Sequence, residues 1–210
     1  MAAGMKDWKR KGLLLLVLSA VLTGYWFWDG DKTVSPSPDS IGVNSLPLPD
    51  FTYRDQNGKP FGMEELKGKI WLADIIFTRC PDVCSPMTAN MSRLQKKLAK
   101  SGLDVDIVSF SADPMYDTPP VLKRFGNNLR ADFSNWRFLT HDSEPQMHQF
   151  LKTAFGVPIK RADPKNPDEP LVIRHSSRFY LIDDQGKVMA AYNGLQPDYA
   201  QVIRDIRSLQ

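Results

Sequence analysis

The sequence contains only two cysteines and three histidines, and these side chains are its main candidates for redox or metal chemistry. Cys80 and Cys84 are separated by three residues in the segment FTRCPDVCSPM. Two thiols held close together can form a disulfide reversibly or bind a soft metal ion. A permanent disulfide is the alternative, but it would close a very short loop and would constrain the unfolded chain little. The pair therefore indicates thiol–disulfide exchange or metal binding.

The three histidines differ in their surroundings. His141 and His148 lie at the end of a predicted strand and within the following predicted helix, where surface or capping roles are expected. His175 follows a proline-rich loop, residues 158–170, and immediately precedes the segment SSRFYLID. Two thiolates and an imidazole favour Cu(I), whereas Cu(II) would need a further oxygen or nitrogen ligand. Zinc also accepts two cysteines and one histidine with an open position, so the residue types alone leave both metals open.

The elements around the cysteines predict how they are positioned. Strand and helix patterns alternate from Pro47 onward, which is typical of an α/β fold. Residues 70–77 are almost wholly apolar, as in a strand covered on both faces, and residues 85–100 have a helical apolar stripe. The cysteines thus lie between the carboxyl end of a strand and the N-terminus of a helix. Parallel sheets bind ligands at that edge, and a helix N-terminus stabilises a thiolate.

The remaining elements complete a thioredoxin-like layout. A hairpin with Asn57 and Gly58 at its turn comes first. Further strands are predicted at residues 106–111, 136–140, 177–182 and 188–192, and further helices at 118–129, 144–155 and 198–209. The sequence therefore predicts a thioredoxin-like α/β domain over residues 45–210, with an N-terminal β-hairpin and an inserted loop before the histidine-bearing strand. In such a layout that strand is adjacent to the cysteine strand.

The N-terminal segment predicts a membrane anchor. Residues 12–28 carry no charge, and the basic segment before them, residues 1–11, favours a cytoplasmic N-terminus. The run ends on aromatic residues rather than the small residues that signal-peptide cleavage needs, so we expect one uncleaved transmembrane helix. Residues 29–44 are rich in Pro, Ser, Gly and Asp and predict a flexible linker. We therefore expect the domain on the outer side of the cell membrane, where disulfides can persist.

The distribution of charge argues against nucleic-acid binding. The chain has 27 basic and 24 acidic residues, a formal net charge of +3. Its first 29 residues hold four basic and two acidic residues, which is +2, so only +1 is left for the rest. A nucleic-acid-binding domain would need a basic face. We expect no nucleic-acid partner.

Four segments taken together resemble the Sco/SenC family: GKIWLADIIFTRCPDVCSPMT, SFSADPMYDTP, WRFLT and RHSSRFYLID. The family consists of membrane-anchored, thioredoxin-like proteins needed to assemble the dinuclear copper centre of cytochrome c oxidase. The resemblance implies that Cys80, Cys84 and His175 bind one copper ion. It also implies the copper-bearing oxidase subunit as a partner, together with a copper donor protein or a thiol–disulfide reductant. Ser85 departs from the family pattern, in which proline usually follows the second cysteine.

Two acids are candidates for a supporting role. Asp113 matches an acid that the family places near the site, and it also fits a turn that initiates a helix. Asp74 lies six residues before Cys80 on the apolar strand. Thioredoxins carry a buried acid at that offset, where it moves protons during disulfide exchange. The alternative role for Asp74 is an acid that is hydrogen-bonded at a sheet surface.

Two functions use the same pair of thiols. One is a copper metallochaperone, which is not an enzyme. The other is a thiol–disulfide oxidoreductase that reduces the cysteines of an apo copper site, with Cys80 attacking and Cys84 resolving. His175 favours the metallochaperone, because disulfide exchange does not require a histidine there. In addition, no proline lies between Pro170 and Pro197, where thioredoxins place a cis-proline before the corresponding strand.

A peroxiredoxin-like peroxidase is a third hypothesis, suggested by the letters FTRCP. The peroxidase pattern needs a proline and a threonine at defined positions before the reactive cysteine. Ala73 and Phe77 stand at those positions, so this function ranks last.

Overall fold

A computed structural model describes residues 47–164, 166 and 169–210 of the chain. The predicted basic segment, transmembrane helix and linker, residues 1–44, lie outside these described residues. Within the described part, no helix is both long enough and apolar enough to cross a membrane.

The described residues form short strands and helices in alternation. The strands are β1 (Thr52–Arg54), β2 (Pro60–Gly62), β3 (Trp71–Ile76), β4 (Asp106–Ser111), β5 (Trp136–Leu139), β6 (Lys160–Ala162), β7 (Val172–Arg174), β8 (Arg178–Ile182) and β9 (Val188–Asn193). The helices are α1 (Met63–Leu66), α2 (Cys84–Lys100), α3 (Pro119–Asn128), α4 (Glu144–Phe155) and α5 (Tyr199–Leu209).

A five-stranded sheet with the order β5-β4-β3-β8-β9 forms the centre of the domain. Strands β3, β4 and β5 are parallel, whereas β8 is antiparallel to both β3 and β9. All six residues of β3 are buried, as expected for a central strand covered on both faces. The predicted thioredoxin-like α/β layout is confirmed, including the adjacency of β8 to the cysteine strand.

Helix α2 packs through the apolar stripe that its sequence predicts. Met87, Met91 and Leu94 are fully buried, and Leu98 is almost so. The two methionines therefore belong to the core beneath the cysteines. The helix begins at Cys84, one residue earlier than the periodicity indicates, so the second cysteine is its first residue.

Two short strands accompany the inserted loop. Strands β6 and β7 pair antiparallel at its two ends and form a separate two-stranded sheet. Each strand has only three residues, which is too short for a period-two pattern to be visible in the sequence. The single-turn helix α1 was not predicted either, because four residues are too few to show a helical pattern. His175 immediately follows β7.

Candidate metal centre

The two cysteines lie where the chain passes from the central strand to helix α2. The Cys84 side chain is buried and Cys80 is partly exposed, and both are free thiols. His175 reaches them because it immediately precedes the segment that leads into β8, and β8 pairs with β3. Its Nε2 atom lies 3.4 Å from the Sγ atom of Cys84. The imidazole also packs edge-on against Phe77, with ring centroids 5.7 Å apart.

The second ring nitrogen of His175 has a partner that fixes the tautomer of the neutral ring. Nδ1 lies 2.8 Å from the backbone carbonyl oxygen of Ser176. A carbonyl oxygen can only accept, so Nδ1 carries the proton and Nε2 presents its lone pair to Cys84. This is the form in which an imidazole binds a metal ion.

The two thiols differ strongly in acidity. The pKa of Cys80 is lowered, chiefly because the Cys84 thiol donates a hydrogen bond to its sulfur; burial partly opposes this. The pKa of Cys84 is raised by the same hydrogen bond and by burial. Cys80 is therefore the more acidic thiol of the two and forms the thiolate first. A thiolate is the form that attacks disulfides and binds metals.

Asp74 is the buried acid of strand β3. Its side chain is fully inaccessible, and neither carboxyl oxygen has a hydrogen-bond partner among the described residues. Burial raises its pKa to about 7. It is close enough to His175 and Cys84 for its charge to act on both. Asp74 thus lies inside the domain, and its role in proton transfer during disulfide exchange stays a prediction.

Asp113 does not contact a cysteine or His175; it binds two arginines instead. Its Oδ2 accepts from Nε and Nη2 of Arg79, at 3.0 and 2.6 Å, and its Oδ1 accepts from Nη1 of Arg161 at 3.0 Å. Asp113 is completely buried. Arg79 directly precedes Cys80, so the carboxylate holds the chain next to the first thiol.

A second acid, Asp117, was missed by the sequence analysis. It accepts hydrogen bonds from the Thr78 backbone N–H, from the Thr78 hydroxyl at 2.5 Å and from the Ser111 hydroxyl at 2.6 Å. Burial raises its pKa to about 6. The segment DPMYD, which contains both acids, was the available signal. Asp113 and Asp117 thus anchor Arg79 and Thr78, the two residues before Cys80.

The other two histidines have hydrogen-bond partners other than the thiols. Nδ1 of His141 accepts from the backbone N–H of Ser143 at 2.8 Å. Nε2 of His148 donates to the backbone carbonyl of Ala112 at 2.7 Å. The structure thus brings His175 alone of the three histidines to the cysteines.

Two thiols and an imidazole form a donor set suited to a soft metal ion. Among the described residues, no group of three His, Cys, Asp or Glu side chains has a geometry that could hold a metal ion. The Cys84–His175 separation is a hydrogen-bond distance, so metal binding would require these side chains to turn toward the ion. The donor types fit copper.

The chain is similar to known proteins in both sequence and fold. Residues 44–210 match the family model described as SCO1/SenC. The chain is 43% identical over 159 residues to the SCO1 protein homolog of Bacillus subtilis (strain 168), covering 75% of this chain and 80% of the relative. It is 30% identical over 180 residues, 85% of this chain and 84% of the relative, to a Stutzerimonas stutzeri protein named as a candidate copper-binding protein.

A solved structure shows the same fold. BsSco, described as having a disulfide switch and as a member of the Sco family of cytochrome c oxidase assembly proteins, superposes with a TM-score of 0.67 at 41% identity. The match covers 80% of this chain and 96% of that structure. The chain therefore belongs to the SCO1/SenC family.

Proposed function

We propose that the protein binds one copper ion through Cys80, Cys84 and His175 and delivers it during assembly of the dinuclear copper centre of cytochrome c oxidase. The observation that carries this proposal is the approach of the His175 Nε2 lone pair to within 3.4 Å of the Cys84 sulfur. Disulfide exchange needs no imidazole there, whereas a soft metal gains a third donor from it. The family membership and the S. stutzeri relative support copper as the metal.

Delivery would proceed by ligand exchange. Two sulfurs and one nitrogen suit Cu(I) and leave its coordination open to an incoming ligand. Cys80 is partly exposed, so a thiolate of the copper-bearing oxidase subunit can approach from its side. A copper donor protein would load the site by the reverse exchange. The predicted anchor at residues 12–28 would hold the domain at the outer face of the membrane, near a membrane-bound acceptor.

Thiol–disulfide exchange is the second candidate function, favoured by the unequal acidity of the thiols and by the disulfide switch described for BsSco. The Cys80 thiolate would attack a disulfide of the apo copper site and release one of its thiolates. Cys84 would then lose its proton and displace the second thiolate, leaving a Cys80–Cys84 disulfide and a reduced acceptor. A separate thiol reductant would restore the pair.

A copper titration separates the two functions. Reduced protein is titrated with Cu(I) without oxygen, against a competing chelator, as wild type, His175→Ala and His141→Ala. His141 is the matched control because it bonds within its own turn. We expect one tightly bound copper per chain in wild type and in the control, and retention weakened by at least about tenfold in His175→Ala. Equal, weak retention in all three proteins would refute copper delivery and leave the redox function.

A further inference from the structure

The hairpin formed by β6 and β7 positions His175 without belonging to the central sheet. It forms a two-stranded sheet of its own, and His175 immediately follows its second strand. Backbone hydrogen bonds to the central strands therefore do not fix its place. The pairing of β8 with β3 holds His175 from its C-terminal side, and whatever holds the hairpin to the domain holds it from its N-terminal side.

One face of the hairpin points toward the domain. Arg161 of β6 is paired in register with Ile173 of β7, so both side chains lie on the same face. Ile173 is only 4% exposed and belongs to the core. All three residues of β6 are exposed, so burial does not distinguish Arg161 from Lys160 and Ala162. The direction of the Arg161 side chain follows from its contact instead, because its guanidinium reaches the fully buried Asp113 and its side chain is 28% exposed.

The Arg161 guanidinium binds several carboxylates. Its Nη1 donates to Asp113 at 3.0 Å and to Glu144, at the start of α4, at 2.9 Å. Its Nε donates to Asp163 of the same loop at 2.7 Å. Asp113 is the fully buried acid that also binds Arg79. A continuous chain of ion pairs thus joins the histidine-bearing hairpin to the residue before Cys80.

These contacts are stronger than an ordinary surface ion pair. Asp113 is desolvated, and its hydrogen bonds to both arginines are charge-assisted. Loss of Arg161 would leave the buried carboxylate with one cationic partner instead of two, a change that is costly inside a protein. Packing of the hairpin against the domain supplies this second partner, so the Asp113 carboxylate stabilises the hairpin in its packed position.

We propose that Arg161 is a positioning residue that holds the His175-bearing hairpin against the cysteine loop through Asp113, and that it thereby slows the release of copper. The effect on copper rests on the proposed function, with His175 as a ligand. The holding of the hairpin does not, because Cys80, Cys84 and His175 take no part in the contacts that carry it.

The first test measures the hairpin itself in the metal-free, full-length protein solubilised in detergent. Amide hydrogen exchange at residues 172–174 is compared among wild type, Arg161→Gln and Lys160→Gln. Lys160→Gln is the matched control, since it removes the same charge from the adjacent, outward-facing position of the same strand. We expect exchange about tenfold faster in Arg161→Gln and unchanged in the control. Equal exchange in all three proteins would overturn the proposal.

The second test asks whether Arg161 acts through His175. Release of Cu(I) to an excess of chelator is timed in wild type, Arg161→Gln, His175→Ala and the double variant. We expect release about tenfold faster in Arg161→Gln, and no further effect of that change once His175 is absent. An equal acceleration with and without His175 would overturn the proposed route.

Failure of the proposed function would look different from failure of this inference. If His175→Ala releases copper at the wild-type rate, the imidazole is not a ligand and the copper proposal fails. The hydrogen-exchange experiment then decides alone whether Arg161 holds the hairpin. Arg161→Lys keeps a cation beside Asp113 and should therefore retain most of the protection from exchange at residues 172–174. If Arg161→Lys is no better protected there than a folded Arg161→Gln protein, that result would also count against the contact.

Discussion

The Nε2 atom of His175 lies 3.4 Å from the Sγ atom of Cys84, although 91 positions separate the two residues in the chain. The contact joins the first residue of α2 to the segment that leads into β8. It exists because β8 pairs with β3, the strand that precedes the cysteines. The imidazole and the thiols therefore meet only in the folded domain.

The opposite pKa shifts of Cys80 and Cys84 predict unequal reactivity of the two thiols. Iodoacetamide should alkylate Cys80 readily near pH 6, where an ordinary thiol with a pKa near 8.5 is largely protonated. Cys84→Ala removes the principal hydrogen-bond donor, so its Cys80 should react at least about tenfold more slowly at that pH. Alkylation rates are measured across pH by mass spectrometry. Identical pH profiles for the two proteins would contradict the hydrogen bond.

Asp74 predicts a specific dependence of stability on pH. Its pKa is about 7 in the folded protein against an ordinary value of 3.8, so folding favours the protonated form. The associated stability is fully present below pH 4 and is lost as the pH rises to about 7. Three pKa units correspond to up to about 4 kcal/mol in the free energy of unfolding.

The Asp74→Asn variant tests this dependence. The variant has no carboxyl group to ionise at this position, so it should not lose this stability as the pH rises. The difference between its free energy of unfolding and that of wild type should therefore change in its favour between pH 4.5 and pH 8. Urea unfolding under reducing conditions measures both proteins, with Asp184→Asn, an exposed turn acid, as the control. A difference between Asp74→Asn and wild type that stays constant with pH would show that Asp74 is ionised even when buried.

Asp117 predicts a large structural effect at the cysteine loop. Asp117→Ala removes the acceptor of hydrogen bonds from Thr78 and Ser111, which leaves buried donors unpaired. We expect the free energy of unfolding to fall by about 2–4 kcal/mol. Asp104→Ala, at an exposed position, should change it by less than about 0.5 kcal/mol. Denaturant unfolding compares them, and similar losses in both variants would refute the anchoring role.

The N-terminal prediction is tested by fractionation. The full chain should sediment with membranes and be released by detergent but not by high salt, because about 17 uncharged residues can span a bilayer. Deletion of residues 1–28 should move the protein to the soluble fraction. Protease added to the outside of intact spheroplasts should digest the domain of the full chain. Release of the full chain without detergent would show that the anchor is wrong.

Local patterns in the sequence were sufficient for most of the architecture. The apolar run of β3, the helical stripe of α2 and the Asn57-Gly58 turn each have a period or a turn chemistry that is visible in a few residues. The contacts around the thiols have no such local pattern. Arg79 and Arg161 lie 34 and 48 positions from Asp113, and the burial of that acid depends on elements from three parts of the chain. Such pairings follow from the tertiary fold.

The order of strands has a consequence for how the protein is made. The chain supplies β3, β4 and β5 in succession, but the other neighbour of β3 is β8, from the last third of the sequence. A chain that emerges N-terminus first therefore presents both thiols, beside an unpaired edge of its most apolar strand, well before the imidazole is synthesised. The three donors can act together only after β8 has closed that edge. The proposed capture of a metal ion by all three donors is thus confined to the period after β8 has been synthesised.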